Sequence, residues 1–229
     1  MIELSELFEA YEGCRKNKRN TMNAIAFEVD YESNLIALCD DINHGTYQPR
    51  RSIAFIVNKP VKREIFAADF RDRVVHHLII NKLNPLFEKT FIYDSYACRQ
   101  ERGTHFGIKR LDRFIRQCSS NYTQDCYVLK LDIQGFFMAI DKRVLWAQLQ
   151  SFIIDQYCFA DKDFLLSLCH KIIFNNPTKN CHIKGSQRHW QDLPPARFTA
   201  RQKPFLFSAR LRSSNWKFDQ SNICQLLCE

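Results

Sequence analysis

Long apolar runs are missing from this sequence. No stretch approaches the roughly 18 residues that a membrane-spanning helix needs, so none is read as crossing a bilayer. The N-terminus, MIELSELFEAYEGCRKNKRN, has acidic residues where a secretory leader would carry a basic start and an apolar middle. The chain therefore reads as cytosolic. Paired cysteines are also missing: ten stand singly along the chain with no CxxC. That excludes the usual zinc-finger and redox spacings and favours reduced, partly buried thiols. A zinc site from Cys181, His182 and His189 would fit no standard finger. Internal repeats and low-complexity linkers are absent as well.

What is present suits a globular fold. Apolar residues make up 45% and aromatics 13% of 229 positions, enough for one generous core or two small ones. The formal charge is +8, which points to a polyanionic partner such as nucleic acid. Residues 196–229 hold six Lys/Arg against two acids, so half of that charge sits in the last 34 residues.

The pattern along the chain alternates helix and strand irregularly, which argues for α+β rather than an evenly wound sheet. In NLIALCDDINHG, Leu35, Leu38 and Ile42 share a face and Gly45 stands beyond the end. RRSIAFIVNKPVKREIFAADF predicts a β-hairpin turning at Asn58-Lys59-Pro60, studded with Arg50, Arg51, Lys59, Lys62 and Arg63. DRVVHHLIINKLNPLFEKTF predicts an apolar helix broken at Pro85. GTHFGIKRLDRFIRQC predicts an amphipathic helix with Ile108, Leu111 and Ile115 on one side. A mostly buried strand is expected at YVLKLD, then a helix capped by Asp141 and another in KDFLLSLCHKIIF.

The strand YVLKLD carries the chemistry. Val128, Leu129 and Leu131 make it apolar, yet it ends in Asp132 beside Gly135 and two phenylalanines. A carboxylate in such a place is unfavourable unless paired or holding a cation. On these residues alone, Asp132 is either a turn cap or a cation ligand.

Together with KREIFAADFRDRVVHHLI, FIYDSYACRQERGTH and NNPTKNCHIKG, this stretch resembles the fingers and early palm of reverse transcriptases. The likeness spans about Gly45 to Pro195. It is nearest to the enzymes of diversity-generating retroelements, then to those of group II introns and retrons. The resemblance implies a right-hand polymerase fold: a helical lead-in over 1–44, fingers over 45–125 and a partial palm over 126–195. It implies RNA-directed DNA synthesis with magnesium as cofactor, an RNA template, a DNA or RNA primer, deoxynucleotides, and in the retroelement case a small accessory protein.

By the same resemblance Asp132 and the carbonyl of Ile133 would be metal ligands, since magnesium prefers oxygen donors. Phe137 would stack beneath the incoming sugar and exclude a 2′-hydroxyl, its alternative being a core phenylalanine. Lys62 and Arg63 would grip the triphosphate, their alternative being a solvated basic face. Arg71, Arg73, Arg99 and Arg102 would line the template path through phosphate contacts. His76 and His77 fit packing or template contact rather than catalysis.

The family also carries a second acidic strand with a Tyr-x-Asp-Asp box, and a thumb. Neither is found in these residues. The tail RSSNWKFDQSNICQLLCE permits, by synonymous codons, a reading one nucleotide later that spells GLPIGNLTSQIFANFYV, the turn and helix expected before that box. The expectation is a frameshift between Pro195 and Arg212, which would make residues 196–229 out-of-frame and the chain an inactive fragment. The alternatives are a genuine divergent end and a binding module without catalysis.

Overall fold

Seven helices and a small sheet are seen in a computed structural model that describes residues 1–16, 21–58, 63–131 and 140–185. The N-terminal lead-in forms α1 (Leu4–Arg15), α2 (Met22–Glu28) and α3 (Tyr31–Asn43). A reciprocal Glu3–Glu6 capping box opens α1, satisfying two backbone donors that the first turn leaves without partners. Gly45, at φ 73°, reverses the chain after α3 in the left-handed conformation that glycine adopts without penalty. Leu35, Leu38 and Ile42 are buried, as their spacing predicts.

The hairpin is β1 (Ser52–Val57) against β2 (Arg63–Ala67), antiparallel, in register from Ile53 opposite Ala67 to Val57 opposite Arg63. A third strand, β3 (Cys181–Ile183), lies parallel to β1, with Ser52 opposite Cys181 and Ala54 opposite Ile183. The order β2-β1-β3 makes β1 central. The sheet and helices together bear out the α+β class.

The core is built around α4 (Phe70–Thr90). Phe70, Val74, Val75, Leu78, Ile79, Leu83 and Phe87 are fully or almost fully buried, and α1 packs along the helix. Tyr11 stacks on Tyr31 at 5.2 Å and meets Phe70 edge-on at 6.2 Å. Further along, α6 (Lys142–Gln156) and α7 (Lys162–Phe174) pair with each other. Phe152 of α6 stacks on Phe87 at 5.0 Å. The expected Asp141 cap is present, accepting from the Arg143 amide at 2.8 Å.

Two expectations are corrected. Helix α4 does not break at Pro85 but runs through it for 21 residues. Pro85 stands on the solvent side, and burial of Leu83 and Phe87 on either side of it outweighs one lost backbone bond. The segment Tyr127–Leu131 is neither strand nor buried: Tyr127 is 94%, Leu129 81% and Leu131 82% exposed. An extended segment is stabilised by ladder bonds from a neighbour, and among the described residues no strand lies beside this one.

Among the described residues no disulfide forms; Cys14, Cys39 and Cys169 are buried thiols. Burial pushes the Cys169 thiol up to about 12.

Candidate functional site

Five of the nine expected site residues fall where side chains are not described or where the chain lies outside the described residues. Lys62, Asp132, Ile133 and Phe137 are outside, and only the backbone of Arg63 is described. That backbone sits at the turn end of β2, opposite Val57. In the chain Asp132 directly follows Val128–Leu131, in which Val128, Leu129 and Leu131 are exposed.

Arg71 and Arg73 stand in the first turn of α4, placed there by Asp69, whose carboxylate caps the helix by accepting from the Arg71 amide at 3.1 Å. Arg71 is only 6% exposed. Its guanidinium pairs with Asp41 at the end of α3 and covers the Tyr47 ring at 5.2 Å. Beside it Asp72, 2% exposed, accepts from the Tyr47 hydroxyl at 2.9 Å and the Arg50 amide at 2.7 Å. Burial raises the Asp72 carboxyl above its ordinary range, and these two donors only partly offset it. Lys171 of α7 closes the cluster by donating to the carbonyls of Gly45 and Tyr47 at 2.8 and 2.9 Å. The network holds the chain leading into the hairpin against α4. Arg73 is 9% exposed, and its Nε finds no hydrogen-bond partner among the described residues.

Arg99 and Arg102 lie elsewhere. Arg99 forks onto Glu88 in the last turns of α4, with Nε and Nη2 at 3.0 and 2.8 Å from Oε2. It also donates to the carbonyls of Ile92 and Ser95 and covers Phe91 at 5.1 Å. The rise of α4 between Arg71 and Glu88 is about 25 Å, so the structure does not bring the two arginine pairs together. Arg102 is half-buried and stacks on Tyr93 at 4.6 Å and on Phe106 at 5.9 Å.

Around Arg102 the sequence reading missed an interleaved set of arginines and rings. Arg110 forks onto Asp94 at 2.8 and 3.0 Å while covering Tyr93 at 5.0 Å and Phe114 at 4.6 Å. The Arg110 guanidinium, then the Tyr96 hydroxyl, hold the Asp94 carboxyl below the usual carboxylate range. These groups belong to α5 (Thr104–Cys118) and the loop before it. Gly107 allows the approach: a Cβ there would stand 3.1 Å from the Tyr96 ring. The dense Arg and aromatic content of FIYDSYACRQERGTHF was the available signal.

The predicted apolar face of α5 exists but is uncovered. Ile108 is 58% and Leu111 47% exposed, and no residue of α5 is buried. No group of three or more metal-ligating side chains occurs among the described residues. None of the helices among them is long and apolar enough to cross a membrane.

Comparison with known proteins adds two findings. The family described as reverse transcriptase (RNA-dependent DNA polymerase) matches residues 58–193, more than half of the chain. Protein YkfC of Escherichia coli (strain K12) is 26% identical over 120 residues, which are 52% of this chain. The chain spans 31% of that relative's length.

Proposed function

The chain belongs to the reverse transcriptase family, and from that premise we propose that it carries the fingers and first palm segment of an enzyme copying RNA into DNA. The observation that supports this most is the exposed, β-prone run Tyr127–Leu131 leading into Asp132 inside the matched span. Such a run is what a palm strand looks like before its partner strand is added.

On this reading Asp132 and the Ile133 carbonyl hold magnesium, and their oxygen donors suit that ion. Magnesium there would supply the charge that favours primer hydroxyl attack and pyrophosphate departure. Lys62 and Arg63 take the triphosphate, and Phe137 selects the deoxy sugar. Arg102 offers a guanidinium to the template strand, whereas Arg73 is 9% exposed and stands at the far end of α4. Arg71 and Arg99 act by positioning, since both are internally bonded. The motifs fit a diversity-generating retroelement, with a dedicated RNA and a small accessory protein.

A second catalytic strand is not found in these residues, so primer extension by the 229-residue chain with magnesium and four deoxynucleotides is expected to give no product. Clear synthesis by it would refute the one-aspartate account. The decisive test is to resequence the DNA from the codon of Pro195 onward. A neighbouring frame continuing into a Tyr-x-Asp-Asp box is expected. Joined to residues 1–195, that frame should support RNA-templated synthesis, and Asp132→Asn should lower it by at least roughly a hundredfold. If no frame continues so, the polymerase reading falls and a binding-only module takes its place, a reading favoured by Arg102 stacked on Tyr93 and Phe106.

A further inference from the structure

Helix α5 carries a second exposed feature besides its apolar stripe. His105, Lys109 and Arg113 recur every four residues, and Arg116 follows three later, so all four lie on one face. All four are exposed. Their spacing along the helix axis is about 6 Å for each four-residue step, close to that of successive phosphates on an extended nucleic-acid strand. Among the described residues His105, Lys109 and Arg113 enter no ion pair, whereas Arg116 bonds Asp112 at 2.9 Å.

At the end of this row stands a ring placed by strained backbone and by its hydroxyl, which donates to Asp112 at 2.8 Å. Ser120, Asn121 and Tyr122 are consecutive non-glycine residues in the left-handed region, at φ 48°, 59° and 67°. That conformation is disfavoured for side chains with a Cβ. Surrounding bonds over-determine it: the Tyr122 amide donates to Ser119 Oγ at 2.8 Å and the Asn121 amide to the Arg116 carbonyl at 2.8 Å. The outcome is a Tyr122 ring 59% exposed, with the Arg116 guanidinium 5.4 Å from its centre.

We propose that this row, ending on Tyr122, binds a single strand of RNA outside the polymerase path. One line of cations tracks one backbone, and an exposed ring with an arginine against it stacks an unpaired base. A duplex would require cations for two backbones and offers no free base face at Tyr122. The inference rests on the family's use of nucleic acid but on no step of catalysis.

The test is fluorescence anisotropy of a short labelled oligouridylate with the 229-residue chain across a salt series. Lys109→Gln with Arg113→Gln should weaken binding at least roughly tenfold and reduce the salt slope by about 1.4. Tyr122→Ala should weaken it by about fivefold or more, and Tyr122→Phe, which keeps the ring, by less than about twofold. Lys109 and Arg113 enter no ion pair among the described residues, so their double variant should leave melting curves unchanged; both Tyr122 variants lose the bond to Asp112, so the contrast between them reads the ring alone. Asp132→Asn should leave this affinity intact, which separates the row from the magnesium chemistry. The proposal is overturned if the double variant keeps the parent slope, or if duplex RNA competes as well as the single strand. It is equally overturned if phosphatidylserine vesicles bind to the row while oligouridylate does not.

Discussion

Lys82 is where three parts of the chain meet. Its ammonium lies between Glu6 of α1 and Asp161 just before α7, with Asp161 at 2.8 Å and also accepting from the Tyr157 hydroxyl at 2.9 Å. Both Lys82 and Asp161 side chains are 12% exposed, so each charge relies on the other rather than on water. Lys82→Met leaves two carboxylates without their cation and should destabilise the fold by about 1–3 kcal/mol in denaturant unfolding. The pH dependence follows from the shifts. Burial would lower the Lys82 ammonium, but Asp161 and Glu6 outweigh it and raise the group. Its stabilisation is full below the unfolded lysine value of about 10.4 and is lost as pH rises through the higher folded one. Burial would raise the Asp161 carboxyl, but Lys82 and Tyr157 outweigh it and lower the group. Its stabilisation is full above the unfolded value of about 3.9 and is lost as pH falls through the lower folded one. Asp161→Asn should therefore flatten the acid limb of the stability profile while lowering stability at neutral pH. An acid limb as steep as the parent's would show that Asp161 does not drive it.

Element by element, what could be read from sequence was what is local. The Asp141 cap acts two residues away and the α3 face repeats within one helix, so both could be seen in the letters. Tyr47 to Asp72 spans 25 residues and Arg99 to Glu88 crosses a helix end, so both pairings exist only once α4 has packed. That is why the arginines of DFRDR and CRQERGTH read as surface cations when Arg71 and Arg99 are internally bonded. An apolar run meeting an acid at Asp132 was visible in the letters, whereas Tyr127–Leu131 does not form the expected strand, because strand formation depends on a neighbour. Pro85 was misread for a related reason: propensity is a weak prior that burial overrides. It remains a local cost, since proline in a helix interior is less favourable than alanine by about 3 kcal/mol. Pro85→Ala should stabilise by about 2 kcal/mol once the roughly 0.4–1 kcal/mol of added unfolded-chain freedom is subtracted. Equilibrium unfolding checks it, and a loss of stability would mean that Pro85 makes a contact worth more than the backbone bond it removes.

Across the molecule, burial is uneven, and stability should follow it. Helix α4 has apolar partners from α1, α6 and neighbouring elements, whereas α5 buries none of its 15 residues and is followed in the chain by the exposed run Tyr127–Leu131. A helix of that length without tertiary packing is marginal in water. What α5 does have are exposed ion pairs and guanidinium–ring contacts, and exposed pairs each contribute little. Amide hydrogen exchange should therefore separate two cooperative units, with protection in α4 exceeding that in α5 by at least roughly tenfold. Equal protection would mean that α5 is held by a surface beyond the described residues. Adding oligouridylate should slow exchange in α5 and leave α4 unchanged, because a ligand stabilises the part that binds it. On the proposed reading, Ile108 and Leu111 on α5 and Leu129 and Leu131 after it, all exposed, would be covered by a second palm strand. Joining the continued reading frame should therefore protect α5 even without RNA, and protection by RNA alone would place the stabilising contact on the cationic row instead.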